Sequence, residues 1–223
     1  MTHTTPETAE QLTDVRDMYV VHRVFRREFT LIPRLVRAVR PGDTARARVV
    51  AGHARLVLAG LDMHHTGEDA LLWPKLLERA APSADLVHRM EAQHHRVEEL
   101  IAELGEALPR WEAEARPAVT EEVASTFDAL RVALLDHLDD EERHILPLAE
   151  RHITPQEWAG LGEHGMAKVK KSDLPVLFGS MLEEASPDER TLMLGLVPAP
   201  VRLLLRTVFA WQYRRYITRV RTT

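Results

Sequence analysis

The chain contains no cysteine, and this absence excludes several kinds of site at once. Disulfides, thiolate metal sites, iron–sulfur clusters and catalytic thiols all need that residue. Glycine is also sparse, with 10 residues among 223. No run of about 18 apolar residues occurs, so no transmembrane helix is predicted. The polar N-terminus lacks the apolar stretch of a signal peptide, and we expect a cytoplasmic protein.

Charge is distributed unevenly along the chain, whose net charge is −5. Up to Ile153 there are 27 acidic and 19 basic residues, whereas six arginines and no acidic residue follow Pro200. An acidic body argues against nucleic-acid binding. The basic C-terminal helix leaves contact with a membrane surface open, although it is not the partner that we expect. Nothing in the sequence predicts the oligomeric state.

Apolar residues recur every three or four positions along almost the whole chain, which predicts helices and no strands. We predict four long helices, at about 10–40, 43–79, 83–111 and 117–151. Their short connections favour an antiparallel up-down four-helix bundle. The expected fold is therefore all-α, with the bundle over residues 1–152 and a C-terminal helical extension of unknown role over 153–223. A predicted capping box at Thr154 and Glu157 opens the extension.

The second and fourth predicted helices carry the same polar motif where core residues belong. The segments HHTGEDALLWP from His64 and HLDDEERHILP from His137 align without gaps. Each has Glu four residues after the His, and Pro six residues after the Glu. Residues four apart lie on one helix face, so His64 with Glu68, and His137 with Glu141, interrupt an apolar stripe. Burying such groups without partners is unfavourable, and a shared metal removes that cost.

The first and third predicted helices each place one histidine in the middle of an apolar stripe. His22 is followed by Phe25 on the same face, and His94 is followed by Val97. Four imidazoles and two carboxylates are a suitable set for two metals with bridging carboxylates. The candidate ligands are His22, His64, Glu68, His94, His137 and Glu141.

The second helix offers an alternative pair with the same spacing. His65 and Asp69 lie one position further along than His64 and Glu68, about 100° round the helix. The apolar stripe of this helix favours His64 and Glu68.

The third helix offers two adjacent histidines. The interval from His22 to His64 equals the interval from His95 to His137, at 42 residues, and this equality favours His95. The apolar stripe favours His94, because apolar residues follow it at the offsets that they occupy after His22. We prefer His94.

The ordered pattern H, HxxxE, H, HxxxE over four helices resembles the hemerythrin / HHE cation-binding family, across about residues 10–150. The resemblance implies that the six candidates bind two non-haem irons, with Glu68 and Glu141 as bridges. It implies O2, NO or peroxide as the small ligand, and peroxide decomposition or NO reduction as the activity if there is turnover. The alternatives are an iron-binding sensor or store, and a helical module that binds a membrane surface or a partner. Zinc would suit the same donors.

The sequence departs from the oxygen-carrying hemerythrins at two positions. Those proteins have HxxxH on the third helix, and here Met90 stands four residues before His94. They end in HxxxD, and here the acid is Glu141. A thioether is a poor ligand for ferric iron, so we expect an open position there, and peroxide or NO chemistry instead of reversible oxygen carriage. His144 and Tyr19 are the residues considered as further ligands.

Overall fold

The structure is a computed structural model that describes residues 12–80, 84–195 and 197–222. These residues form helices and no strand, which confirms the predicted all-α class. The predicted starts of the first and third helices, at about residues 10 and 83, lie outside the described ranges. None of the described helices is long and apolar enough to cross a bilayer.

The bundle and its extension follow one another along the chain. The bundle contains α1 (Arg16–Arg37), α2 (Thr44–Leu71), α3 (Trp73–Arg79), α4 (Ala84–Glu114), α5 (Pro117–Asp140), a π-helical segment (Glu141–Ile145) and α6 (Leu146–His152). The extension contains α7 (Pro155–Lys168), α8 (Leu174–Glu184), α9 (Pro187–Gly195), α10 (Ala199–Leu204), a π-helical segment (Leu205–Phe209) and α11 (Ala210–Arg221).

Four rods form the antiparallel up-down bundle: α1, α2 with α3, α4, and α5 with α6. The turn between α1 and α2 is tight because Gly42 takes a φ of 79°, a conformation that glycine adopts without steric cost. Asp43 then caps α2 by accepting a hydrogen bond from the backbone N–H of Arg46. Pro117 begins α5 at a position where no intrahelical N–H is needed.

The second and fourth rods are not the continuous helices that the periodicity predicted. The second is interrupted at Leu72 and restarts at Trp73, while the fourth widens into the π-helical segment. Both changes lie just before the repeated prolines, Pro74 and Pro147. Proline has no N–H for the carbonyl four residues back, and its ring crowds that carbonyl. In the π-helical segment the N–H of Leu146 donates to the carbonyl five residues back.

Two apolar clusters fill the bundle, and the motif residues of every rod lie between them. One cluster is built around large rings such as Phe29 and Phe127, whose centroids are 6.4 Å apart. The other contains Trp73, Met90 and Ile145. The polar motif residues are therefore closed in on both sides by side chains that exclude water.

The C-terminal extension lies against the bundle. The predicted capping box is confirmed, since Thr154 and Glu157 each accept a hydrogen bond from the other's backbone N–H. Ile217 and Val220 of α11 belong to the same apolar cluster as Phe29. Helix α8 fits closely beneath α11, because a Cβ on Gly179 would come within 2.2 Å of the Tyr213 ring.

A buried polar network joins the extension to the bundle. The hydroxyl of Tyr216 lies 3.1 Å from Nδ1 of His53, whose Nε2 lies 2.9 Å from Oε2 of Glu28. Arg27 lies 2.8 Å from the other oxygen of Glu28, and 2.7 Å from a carboxylate oxygen of Glu183 in α8. Burial raises the pKa of Glu28, but His53 and Arg27 outweigh burial and lower the pKa to about 2. Helices α1, α2, α8 and α11 are thereby tied together.

We predict that Glu28→Gln lowers the free energy of unfolding by about 3 kcal/mol at pH 7, because a neutral amide loses the favourable interactions that Arg27 and His53 make with the buried carboxylate. The pKa of Glu28 falls from 4.5 to about 2 on folding, so its stabilisation is complete above pH 4.5 and is lost as the pH falls toward 2. The difference between wild type and variant should therefore narrow on acidification. Urea unfolding across this pH range measures it.

The matched control for this prediction is Glu103→Gln, which changes an exposed glutamate of α4. We expect this control to change stability by less than about 0.5 kcal/mol. Equal losses in the two variants would contradict the role of the network.

Candidate metal centre

The four rods bring all six predicted ligand residues into one cluster between the apolar layers. Most of them are almost fully buried, with exposed fractions of 0–2% for His22, Glu68, His94, His137 and Glu141. His64 is the most exposed, with 10% of its side chain accessible. The competing His95 points away, with 74% of its side chain exposed. The apolar stripe was thus the better guide to the orientation of α4.

The donor atoms form two imidazole groups and a third group that links them. Within each group, one donor atom per residue lies within 4.8 Å of the others. The groups are His22, His64 and Glu141; His65, His94 and His137; and Glu68, His137 and Glu141. The first two groups have no residue in common, and the third links them. This arrangement provides two neighbouring positions for a cation.

The two glutamates lie where bridging carboxylates would be required. Oε1 of Glu68 is 3.4 Å from Nε2 of His64, and its Oε2 is 3.5 Å from Nε2 of His94. Each oxygen thus faces an imidazole of a different group. Oε2 of Glu141 is 3.2 Å from Nε2 of His22 and 3.6 Å from Nε2 of His137, which also belong to different groups.

Several buried donor atoms of this cluster have no hydrogen-bond partner among the described residues. They are Nε2 of His22 and His64, both ring nitrogens of His65, and all four carboxylate oxygens of Glu68 and Glu141. Unpaired buried carboxylates and imidazoles are costly, and native cores pair almost all such groups. Atoms that converge without partners fit metal cations, which would take up these lone pairs.

Hydrogen bonds hold two of the rings from the side opposite the cluster. Nδ1 of His22 lies 2.9 Å from Oε1 of Glu142, while Nδ1 of His137 lies 3.3 Å from Oε1 of Gln93. Arg26 in turn binds the same oxygen of Glu142 at 3.1 Å. Such contacts fix the tautomer so that Nε2, the atom that faces the cluster, keeps its lone pair for a metal.

Asp69 holds the ring of His94 in α4 in the same way. Its Oδ1 lies 2.8 Å from Nδ1 of His94 and accepts a hydrogen bond of 2.7 Å from the indole N–H of Trp73. The alternative pair His65 and Asp69 therefore does not act as a pair of ligands. Asp69 lies outside the donor groups and orients His94. In both repeats an acidic residue directly follows the glutamate of the motif, and in the first repeat this residue, Asp69, orients His94.

The sequence profile of the hemerythrin HHE cation-binding domain matches residues 13–149. The chain belongs to this family. No curated protein and no solved structure matches the chain. The match covers the part of the bundle that contains the cluster described above, and it ends within α6.

His65 is a member of the cluster of this HHE domain that the motif did not predict. It is 1% exposed, and its ring stacks on His94 with centroids 3.9 Å apart and an interplanar angle of 8°. The cluster therefore has five imidazoles and two carboxylates. Adjacent residues on a helix are about 100° apart, and a cluster as wide as this one accepts both His64 and His65. The pair of consecutive histidines was the available signal.

Burial and mutual charge shift the pKa values within the HHE cluster in opposite directions. Burial lowers the pKa of His64 to about 3 and that of His137 to about 4. Burial also opposes a charge on His22, but Glu141 outweighs burial and raises this pKa to about 9. Burial and the charge of Glu141 raise the pKa of Glu68 well above its usual value, whereas His22 holds the pKa of Glu141 low. His64 and His137 are therefore neutral, the form that binds metals, whereas a cation would have to displace a proton from His22.

The other residues considered as ligands lie outside the imidazole groups. His144 is exposed at the surface of the π-helical segment. Tyr19 is half-buried and packs against the apolar cluster that contains Trp73. Met90 is fully buried in that same cluster. The third imidazole beside His94 and His137 thus comes from His65, not from the position of Met90.

We predict that His65→Ala weakens metal binding at least about tenfold, because it removes one of three imidazoles from a group of donors. Chelator competition followed by metal analysis measures the affinity. His95→Ala is the matched control, because it removes an exposed histidine of a neighbouring helix, and it should leave the affinity unchanged. Full affinity in His65→Ala would remove His65 from the ligand set.

Proposed function

We propose that this HHE domain holds two non-haem irons and that O2, NO or peroxide binds or reacts there. The observation that supports the proposal is the pair of buried glutamates, Glu68 and Glu141, each lying between imidazoles of two different groups. A carboxylate in such a position suits two cations better than one. Mixed imidazole and carboxylate donors are the set that non-haem iron uses in four-helix bundles.

The enclosure of the centre favours a small ligand. Every donor except His64 is at most 2% exposed, and apolar clusters close both sides. The ring of Phe25 covers His64, with centroids 5.3 Å apart. An organic substrate would have to displace this packing, whereas a diatomic molecule or peroxide would not.

The side chains leave room for such a ligand in the coordination of two irons. Seven donors, with Glu68 and Glu141 shared, do not complete two octahedral shells. Bound irons would supply redox chemistry at this site. The contributions of the chain are to hold the irons close together, to keep water out, and to fix each imidazole through its outer hydrogen bond.

We predict that protein produced with iron contains about two irons per chain, and that the double variant His64→Ala with His137→Ala contains almost none. This double variant removes one imidazole from each group. Elemental analysis gives the stoichiometry, and Mössbauer spectra before and after addition of peroxide show whether the irons are coupled and reactive. The control is His88→Ala with His95→Ala, which removes two exposed histidines.

Iron retained at full stoichiometry in the first double variant would contradict the ligand assignment. Zinc bound in preference to iron would contradict the redox proposal while leaving the ligand set intact. A paired iron centre whose spectrum does not respond to O2, NO or peroxide would favour the sensor or store.

A second candidate function rests on the last helix. Helix α10, the second π-helical segment and α11 form a continuous rod whose inner face packs on the bundle through residues such as Ile217. Its outer face exposes large apolar side chains at helical spacing: Val201, Leu204, Val208 and Trp211. Arg215 lies over the ring of Trp211 at 5.8 Å. Apolar residues flanked by arginines, with no acidic residue, suit an anionic lipid surface.

We predict that the chain sediments with vesicles containing phosphatidylserine, and that Val208→Glu lowers the partition coefficient about fivefold because it places a negative charge at the lipid surface. Val132→Glu is the matched control, because Val132 is as exposed as Val208 but lies on α5. Equal losses in the two variants, or no binding by wild type, would contradict lipid contact through this face.

A further inference from the structure

A large groove lies between the bundle and the extension, apart from the metal centre. Its volume is about 870 Å³, and its walls come from α1, α2, the end of α7, α8 and α11. Pockets that bind small organic molecules have volumes of roughly 300–1,000 Å³ and mostly apolar linings. The ring of Phe25 separates the groove from His64, so this space does not belong to the imidazole groups.

The floor of the groove is apolar, and its polar groups already have partners. Phe25, Val57 and Ile217 are among the side chains that line it. Tyr216 and His53 also reach the floor, but they are hydrogen-bonded to each other at 3.1 Å. A charged group placed at this depth would lose its hydration and gain no free partner. The floor is therefore suited to the hydrocarbon part of a ligand.

The rim of the groove carries an excess of positive charge. Arg48, Lys168, Lys170 and Arg219 are exposed lining residues, and none of them makes an ion pair within the described part of the chain. A fifth cation on the lining is already paired with a glutamate. The lining carboxylates are fewer: they are Asp62 and Asp173, together with Glu28, which is already paired with Arg27.

A glycine on α2 leaves space in the groove that a side chain would fill. Gly52 lines it, and a Cβ added at Gly52 would meet no atom within 4 Å. Glycine inside a helix costs roughly 0.5–1 kcal/mol relative to alanine, so a larger residue here would favour the helix while it fills the groove. This position allows the groove to be blocked without loss of the fold.

We propose that this groove binds an amphipathic organic anion, with its hydrocarbon part on the floor beside Phe25 and Ile217 and its carboxylate among the rim cations. The chemistry is that of a medium-chain carboxylic acid. The proposal does not depend on which metal the HHE centre holds. The expected occupant is a small ligand, and the competing occupant is a second copy of the chain.

The experiment is calorimetric titration of the full chain, as purified with its metal, with decanoate and with decyltrimethylammonium. These probes share a chain length and differ in the sign of the head group. We expect decanoate to bind about tenfold or more tightly than the ammonium probe, with an affinity that falls as salt is added. Gly52→Leu should weaken decanoate binding at least about tenfold, because the added side chain takes up space at the lining of the groove.

The matched control is Gly105→Leu, which makes the same substitution in α4 at an exposed glycine whose Cβ would also meet no atom within 4 Å. It should bind decanoate as wild type does. Replacing Lys168 and Lys170 together by Gln should weaken decanoate about threefold to tenfold and leave the ammonium probe unaffected. Unchanged helicity and iron content in each variant would show that the fold and the metal centre are intact.

Several results would overturn the proposal. These are no decanoate binding by wild type, equal effects of the two glycine substitutions, and equal affinity for the two probes. Sedimentation velocity covers the competing occupant: a wild-type dimer that Gly52→Leu dissociates would assign the groove to a second copy of the chain.

Discussion

Seven ionisable side chains are buried at the middle of the four-helix core, and the fold has to compensate for the cost of burying them. Two of them are glutamates whose oxygens have no hydrogen-bond partner among the described residues, and the other five are imidazoles. Such a cluster would destabilise an ordinary bundle, since desolvation of a carboxylate costs several kcal/mol unless a cation compensates. A bound cation would therefore stabilise the bundle, and each rod contributes at least one donor atom to the cluster.

Two kinds of contact surround the cluster: apolar packing, and hydrogen bonds that orient the imidazole rings. Apolar layers above and below remove water, and Glu142, Asp69 and Gln93 restrain the rings from behind. Asp69 is itself held by the indole of Trp73, the residue at which the second rod restarts. The backbone irregularities near the two prolines are thus adjacent to the candidate ligands. Irregular helical segments are often found at functional sites.

Much of this arrangement could be predicted from the sequence, because the patterns that indicate it lie within single helices. The repeated HxxxE motif and the apolar stripes indicated which faces of the helices converge, and the stripe placed His94 inside the cluster and His95 outside. The sequence could not show whether His65 faces the cluster. Apolar periodicity defines the inward face of a helix only to within about 100°, the rotation between adjacent residues. The width of the cluster, which decides the matter, is a property of four helices together.

The contacts of the extension had no local signal at all. His53 contacts Glu28, 25 residues before it in the chain, and Tyr216, 163 residues after it. Each of these residues alone is consistent with an ordinary surface or core position. Only the packing of α8 and α11 on α1 and α2 creates both the buried network and the adjoining groove. Long-range pairing of this kind is invisible to periodicity.

The repeated motif is symmetrical in sequence, but the centre that it builds is not. One imidazole group has the rings of His22 and His64, while the other has those of His65, His94 and His137. Imidazole and carboxylate donors favour different metals and oxidation states. The two groups therefore differ chemically, since one combines two imidazoles with a carboxylate and the other consists of three imidazoles. This difference arises from one additional histidine in an otherwise duplicated pattern.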